Sequence, residues 1–138
     1  MISDDVHYRF VSEQCRYHSE KAGDAFTLFV KIFSAVVGGA LWLQVQPHVN
    51  PAMSRQLGRA AAGLVLAVAS LCSIRIAENM RAWKGYRKAQ CRIAGNDSDG
   101  RPIIDPPNVL RASVEEGALI VSMFAASIGF ALLDPTGP

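Results

Sequence analysis

Charge is scarce in this chain. Only 19% of its 138 residues are charged, against 50% hydrophobic, and the net charge of +2 is too small to argue for a nucleic-acid partner. Cysteine is scarcer still. Cys15, Cys72 and Cys91 make an odd number with no Cys-x-x-Cys spacing, which excludes a secreted disulfide framework. None of the three histidines, His7, His18 and His48, falls in an apolar run, so a haem anchor built on intramembrane histidines is excluded. A Walker loop, a Gly-x-Ser-x-Gly elbow, a His-Glu-x-x-His pair and a dinucleotide glycine fingerprint are all absent. No catalytic residue and no cofactor is expected, and the chain reads as non-enzymatic. The opening MISDDVHYRF is acidic and polar, without the basic-then-apolar layout of a cleaved signal peptide, so the first apolar run is expected to persist in the mature protein.

What the chain has is long apolar runs. FTLFVKIFSAVVGGALWLQV begins at Phe26, LGRAAAGLVLAVASLCSIRI ends at Ile76, and GALIVSMFAASIGFALL ends at Leu133. A hydrocarbon core of about 30 Å needs roughly 20 helical residues, so each run is about long enough to cross it. Too little polar chain remains to cover three such helices in a soluble domain. The predicted fold is an all-α integral membrane protein with three transmembrane helices. The first two form a long antiparallel hairpin that extends into the cytoplasm. The expected order is a cytosolic helical arm (1–25), a first span (26–46), an outer loop (47–56) and a second span (57–76). A second arm (77–94), a cytosolic linker (95–113), a third span (114–133) and an outer tail (134–138) follow.

Periodicity joins arm to span. Tyr8, Val11, Cys15, His18, Ala22, Ala25, Phe29, Ile32, Val36, Gly39 and Leu43 step by three and four, all apolar or amphipathic except His18. One helix is therefore predicted over about 3–46, capped by Ser3 or Asp4 and ended by Pro47. Asn50-Pro51 reads as a cap and a first-turn proline, opening a second helix to about residue 94 that Gly95 stops. Ser113 and Glu116 have capping-box spacing and predict the start of the third helix.

Lysine and arginine placement orients the spans. Arg75 stands at the end of the second run, Arg81, Lys84, Arg87, Lys88, Arg92, Arg101 and Arg111 lie between the second and third runs, and Arg9, Arg16 and Lys21 precede the first. The break between the first two runs and the first turn of the second have only Arg55 and Arg59. The positive-inside rule places the N-terminus and the linker in the cytoplasm and the C-terminus outside, in a bacterial cytoplasmic membrane.

Three sets of residues stand out. A turn near residues 52–53 pairs positions whose numbers add to about 105, which sets Asp24 opposite Arg81, Glu13 opposite Arg92, Ala22 opposite Trp83 and Cys15 beside Cys91. The arms then form a two-helix stalk; the alternative is a basic arm lying on anionic headgroups. Lys31, Arg75, Glu78, Glu115 and Glu116 lie near one height and are expected to form a charge network at the cytoplasmic mouth, with snorkelling of Lys31 and Arg75 as the alternative. Small residues at four-residue spacing, including Gly38, Gly39, Gly63, Ala67, Ser122, Ala126 and Gly129, let helices approach closely in lipid. Three helices cannot bury all of these faces, so a homo-oligomer or a larger membrane complex is expected, with membrane lipid as the other partner. Cys15, His18 and Cys91, with His7, can also be read as zinc ligands, against a reading as two buried thiols and a polar packing residue.

The layout is similar to that of the SLATT-type membrane effectors of bacterial defence systems, in which a helix enters a transmembrane hairpin with a helical cytosolic extension. The similarity covers about two thirds of the chain, and the third span departs from a two-span pattern. The small-residue faces and the stalk motivate the functional expectation, a non-enzymatic, self-associating membrane protein, extending to a pore-forming or membrane-perturbing effector. The alternative is an accessory or assembly subunit of a larger membrane complex.

Overall fold

The computed structural model describes residues 4–46, 50–95, 103–104 and 108–132, which form three helices. Helix α1 runs Asp4–Val45, α2 runs Pro51–Ala94 and α3 runs Val109–Leu132. All three are long and apolar enough to cross a membrane, which points to a membrane protein. The expected Ser3 cap, His48 and the tail 134–138 lie outside the described residues.

Local chemistry sets the helix ends. Asn50, in extended conformation, accepts the Ala52 N–H on its side-chain oxygen at 2.9 Å, and Pro51 follows where no amide hydrogen is needed. At the other end of α2, Gly95 takes φ +69°, a conformation that side-chain-bearing residues rarely adopt, while its N–H returns to the Cys91 carbonyl at 3.3 Å. The start of α3 differs from the capping-box expectation. Asn108 is the cap, accepting the Arg111 N–H at 3.0 Å, so Ser113 lies inside the helix. An Asn cap satisfies the same orphan amides one turn and more upstream, which frees Ser113 and Glu116 for other partners.

At 42 and 44 residues, α1 and α2 are each about 65 Å long, twice the thickness of a hydrocarbon core. They pack side by side, with rising numbers on α1 meeting falling numbers on α2. The predicted apolar stripe of α1 is the buried one: Val11, Cys15, Ala22 and Phe29 are all inside. Phe29 joins Val65, Ala69, Cys72 and Ile76 of α2 and Met123 of α3 in one core cluster, flanked by half-buried Ala25, Phe33, Met80 and Phe124. Phe33 stacks on Phe29 and meets Phe130 of α3 edge-on.

Outside that core the apolar side chains face outward. Only 6% of the most apolar stretch of α1 is buried, so its hydrophobicity is not explained by packing within the chain. Leu41, Trp42, Leu64, Leu71 and Val121 are all more than half exposed. Serines in these stretches hide their hydroxyls in their own helix. Ser70 donates to the Leu66 carbonyl at 2.9 Å, Ser73 to Ala69 at 2.7 Å and Ser127 to Met123 at 2.7 Å. This is the solution a solvent without hydrogen-bond partners imposes.

Helix α3 is staggered against the pair. Its apolar stretch begins just after Glu116, which is bonded to Lys84. Lys84 stands roughly two turns, about 12 Å, beyond Ile76, where the apolar stretch of α2 ends.

Candidate polar seam and outer helix faces

Three polar junctions tie the helices together where the apolar stretches stop. In the first, the His18 ring bonds through Nδ1 to Asn79 Oδ1 at 2.9 Å and stacks on Tyr86 at 5.5 Å between centroids. Asn79 Nδ2 donates to the Arg75 carbonyl at 2.8 Å, so its oxygen must accept, and His18 Nδ1 carries the hydrogen. In the second, Gln90, 7% exposed, donates to Ser12 Oγ at 2.9 Å and to Tyr8 Oη at 3.4 Å, while Arg87 donates to its oxygen at 2.7 Å. In the third, Lys84 Nζ donates to Glu116 Oε2 at 2.9 Å and to Ser113 Oγ at 3.0 Å. The Lys84 and Glu116 side chains are 18% and 16% exposed, so water screens this pair less than a surface pair.

The α1–α2 register near the turn differs from the expected sum of 105. Gly39 and Gly58, across a groove, add to 97, whereas His18, in the arm, reaches both Asn79 and Tyr86, which add to 97 and 104. The physical reason is the position of the turn. Val45 ends α1 and the Asn50 cap fixes the start of α2, which centres the reversal near residue 48 instead of 52–53. Asp24 accordingly shares a groove with Arg75 and bonds Lys21 at 3.1 Å along its own helix. Glu20 pairs with Arg16 in the same way, at 3.7 Å. Among the described residues no ion pair joins Asp24 to Arg81 or Glu13 to Arg92. Towards the tips the contacts widen to larger sums. Cys15 lies within electrostatic reach of both Cys91 and Arg87; burial pushes its thiol pKa up, partly offset by the Arg87 charge. Ala22 is buried and Trp83 half-buried.

The five residues expected at the mouth are divided. Glu116 is held by Lys84, and Glu115 pairs with Arg111 at 3.0 Å on α3. Lys31, Arg75 and Glu78 are exposed and make no ion pair among the described residues. The stagger of α3 causes this, since it lifts both glutamates past the level of Arg75. His18 is turned to Asn79 and Tyr86, and among the described residues no three His, Cys, Asp or Glu side chains gather as metal ligands.

The small residues separate into two kinds. Gly38, Gly39, Gly63, Ala67 and Ser122 are exposed, and a methyl group built on Gly38, Gly39 or Gly63 meets nothing within 4 Å. Gly129, half-buried, is equally open, whereas Ala126 packs against the core. Close approach between the helices of one chain does not need these glycines.

Sequence reasoning missed Gln90, Ser12, Asn79 and Tyr86 as joining residues, and placed Lys84 opposite Glu20 on α1 where the structure pairs it with Glu116 of α3. A signal existed for two of them: Gln90 and Tyr86 lie at helical spacing from Met80 and Trp83, on the stripe that faces α1. No protein-family model, curated protein or solved structure matches this chain. The similarity to SLATT-type effectors therefore stands on layout alone.

Proposed function

We propose that this chain is a small, non-enzymatic, self-associating multi-pass membrane protein that acts by perturbing the bilayer, as a pore-forming or membrane-disturbing effector does. In this reading α1 and α2 cross a bacterial cytoplasmic membrane as a hairpin. Their polar halves stand in the cytoplasm as a stalk joined by Gln90 and His18, and α3 crosses to place the C-terminus outside. The observation that carries self-association is the open space over Gly38 and Gly63 on exposed helix faces. Glycine weakens a helix by about 1 kcal/mol relative to alanine, and in lipid its return is close approach to another helix. Since that approach is not used within the chain, a second copy supplies it. The stagger of α3 supports perturbation. Apolar bands that begin at different levels do not all match one flat slab, and a bilayer answers such mismatch by thinning or by helix tilt.

A second reading rests on the outer strip of the α2 arm. Arg81, Lys88 and Arg92 are all exposed there and suit an acidic partner, which fits an accessory subunit of a larger complex. Mass measurement of the purified chain in mild detergent separates the two. A discrete homo-oligomer supports self-association. A monomer that co-purifies with another membrane protein supports the accessory role.

A further inference from the structure

A groove of about 420 Å³ opens between α1 and α2 at the level where their apolar stretches begin and end. Its two ends differ in chemistry. Towards the arms it is lined by Tyr17, Lys21, Asp24 and Arg75. Towards the spans it is lined by Leu28 and Leu71, which are 53% and 64% exposed. The charges do not cancel. Asp24 is engaged by Lys21 at 3.1 Å, and Arg75 meets no carboxylate among the described residues. Asn79, on the groove wall, has its amide committed to His18 and to the Arg75 carbonyl, so the groove's free donors are cationic and phenolic.

We propose that this groove binds one anionic phospholipid, its phosphodiester held by Arg75 and Lys21 and one acyl chain lying along Leu28 and Leu71. The inference rests on the membrane reading above. A net single positive charge suits a single phosphodiester. A guanidinium beside an ammonium provides a planar fork and a point charge for its oxygens. Tyr17 supplies an amphipathic ring of the kind favoured at headgroup depth, with the Lys21 ammonium 5.7 Å above its centroid. A free phosphate would find the cations but leave the leucine rail exposed, so the occupant is the lipid.

The test uses the full chain, first assayed for retention in membranes through an alkaline carbonate wash. Loss in that wash would defeat the membrane reading itself and this site with it. With retention established, native mass spectrometry of detergent-solubilised protein is run against phosphatidylglycerol and phosphatidylcholine in competition. One basic side chain near an anionic headgroup is worth about fivefold in binding, so the native chain should retain phosphatidylglycerol about fivefold over phosphatidylcholine. Arg75→Gln and Lys21→Gln should each bring that ratio close to one, while Arg92→Gln, at the arm tip, leaves it unchanged. Equal retention of the two lipids by the native chain, or an unchanged ratio in Arg75→Gln, overturns the proposal. Displacement of phosphatidylglycerol by millimolar inorganic phosphate also overturns it, because the groove would then be a phosphate site.

Discussion

Replacing Gln90 with alanine tests how the polar halves of α1 and α2 hold together. The side chain is buried at the α1 interface, and its bond to Ser12 at 2.9 Å is the short polar link between the arms at that level. Losing a neutral hydrogen bond of this kind costs about 1 kcal/mol. Emptying the space of the side-chain methylenes costs about another 1 kcal/mol. The Arg87 bond runs within α2 and does not hold the arms together, so it is left out of the sum. A total of about 2 kcal/mol raises the opening constant of the arms about thirtyfold. Cys15 reports that opening, because it is buried on α1 one turn from Ser12. Its thiol is also kept protonated by that burial, and a thiol reagent attacks the thiolate. Peptide-resolved maleimide labelling at fixed pH should therefore show Cys15 reacting about thirtyfold faster in Gln90→Ala, and at an unchanged rate in Arg92→Ala. An unchanged Cys15 rate in Gln90→Ala would refute the reasoning, since the arms would then be held by something other than this seam.

The junction between α2 and α3 gives a second test. Lys84→Ala and Glu116→Ala should show a coupling of about 1 kcal/mol in a double-mutant cycle of thermal unfolding in detergent, and strict additivity would show that the pair contributes nothing. The outer faces give a third. Gly38→Leu or Gly63→Leu should shift the detergent-purified protein towards monomer without loss of helix content, because a Cβ at either position meets nothing within 4 Å inside the chain. Ala126→Leu should instead lower thermal stability, because Ala126 lies against the core. If both glycine variants keep the native mass, those faces do not assemble the protein.

Much of the helical layout was legible because its signals are local. A three-and-four stripe that crosses the polar–apolar boundary requires one continuous helix, and Asn50-Pro51 and Gly95 are caps whose chemistry is carried by one or two residues. The register was not legible in the same way. It depends on where the reversal is centred, and the shift from residues 52–53 to near 48 moves the α2 partners nearest the turn by about two turns, while the offset shrinks towards the tips. Charge complementarity misled for a related reason. Asp24 has Lys21 three residues away on α1, and such a neighbour competes with any partner across the interface. The level of α3 was the least visible of all. It follows from the tertiary bond between Lys84 and Glu116, which no periodicity encodes. The small residues were visible as a pattern, yet only the packing shows that Ala126 belongs to the core while Gly38 and Gly63 lie open.

The central claim is that all three helices cross a membrane and that α1 and α2 do so as a hairpin. Reporter fusions test it most directly. One reporter is inserted near Asn96, between α2 and α3, and another is fused after Pro138; each is a pair of enzymes active only in the cytoplasm or only outside it. The account predicts cytoplasmic activity near Asn96 and outer activity after Pro138, as the lysine and arginine asymmetry requires. Reversed activities would contradict the orientation, and cytoplasmic activity at both sites would contradict the third crossing.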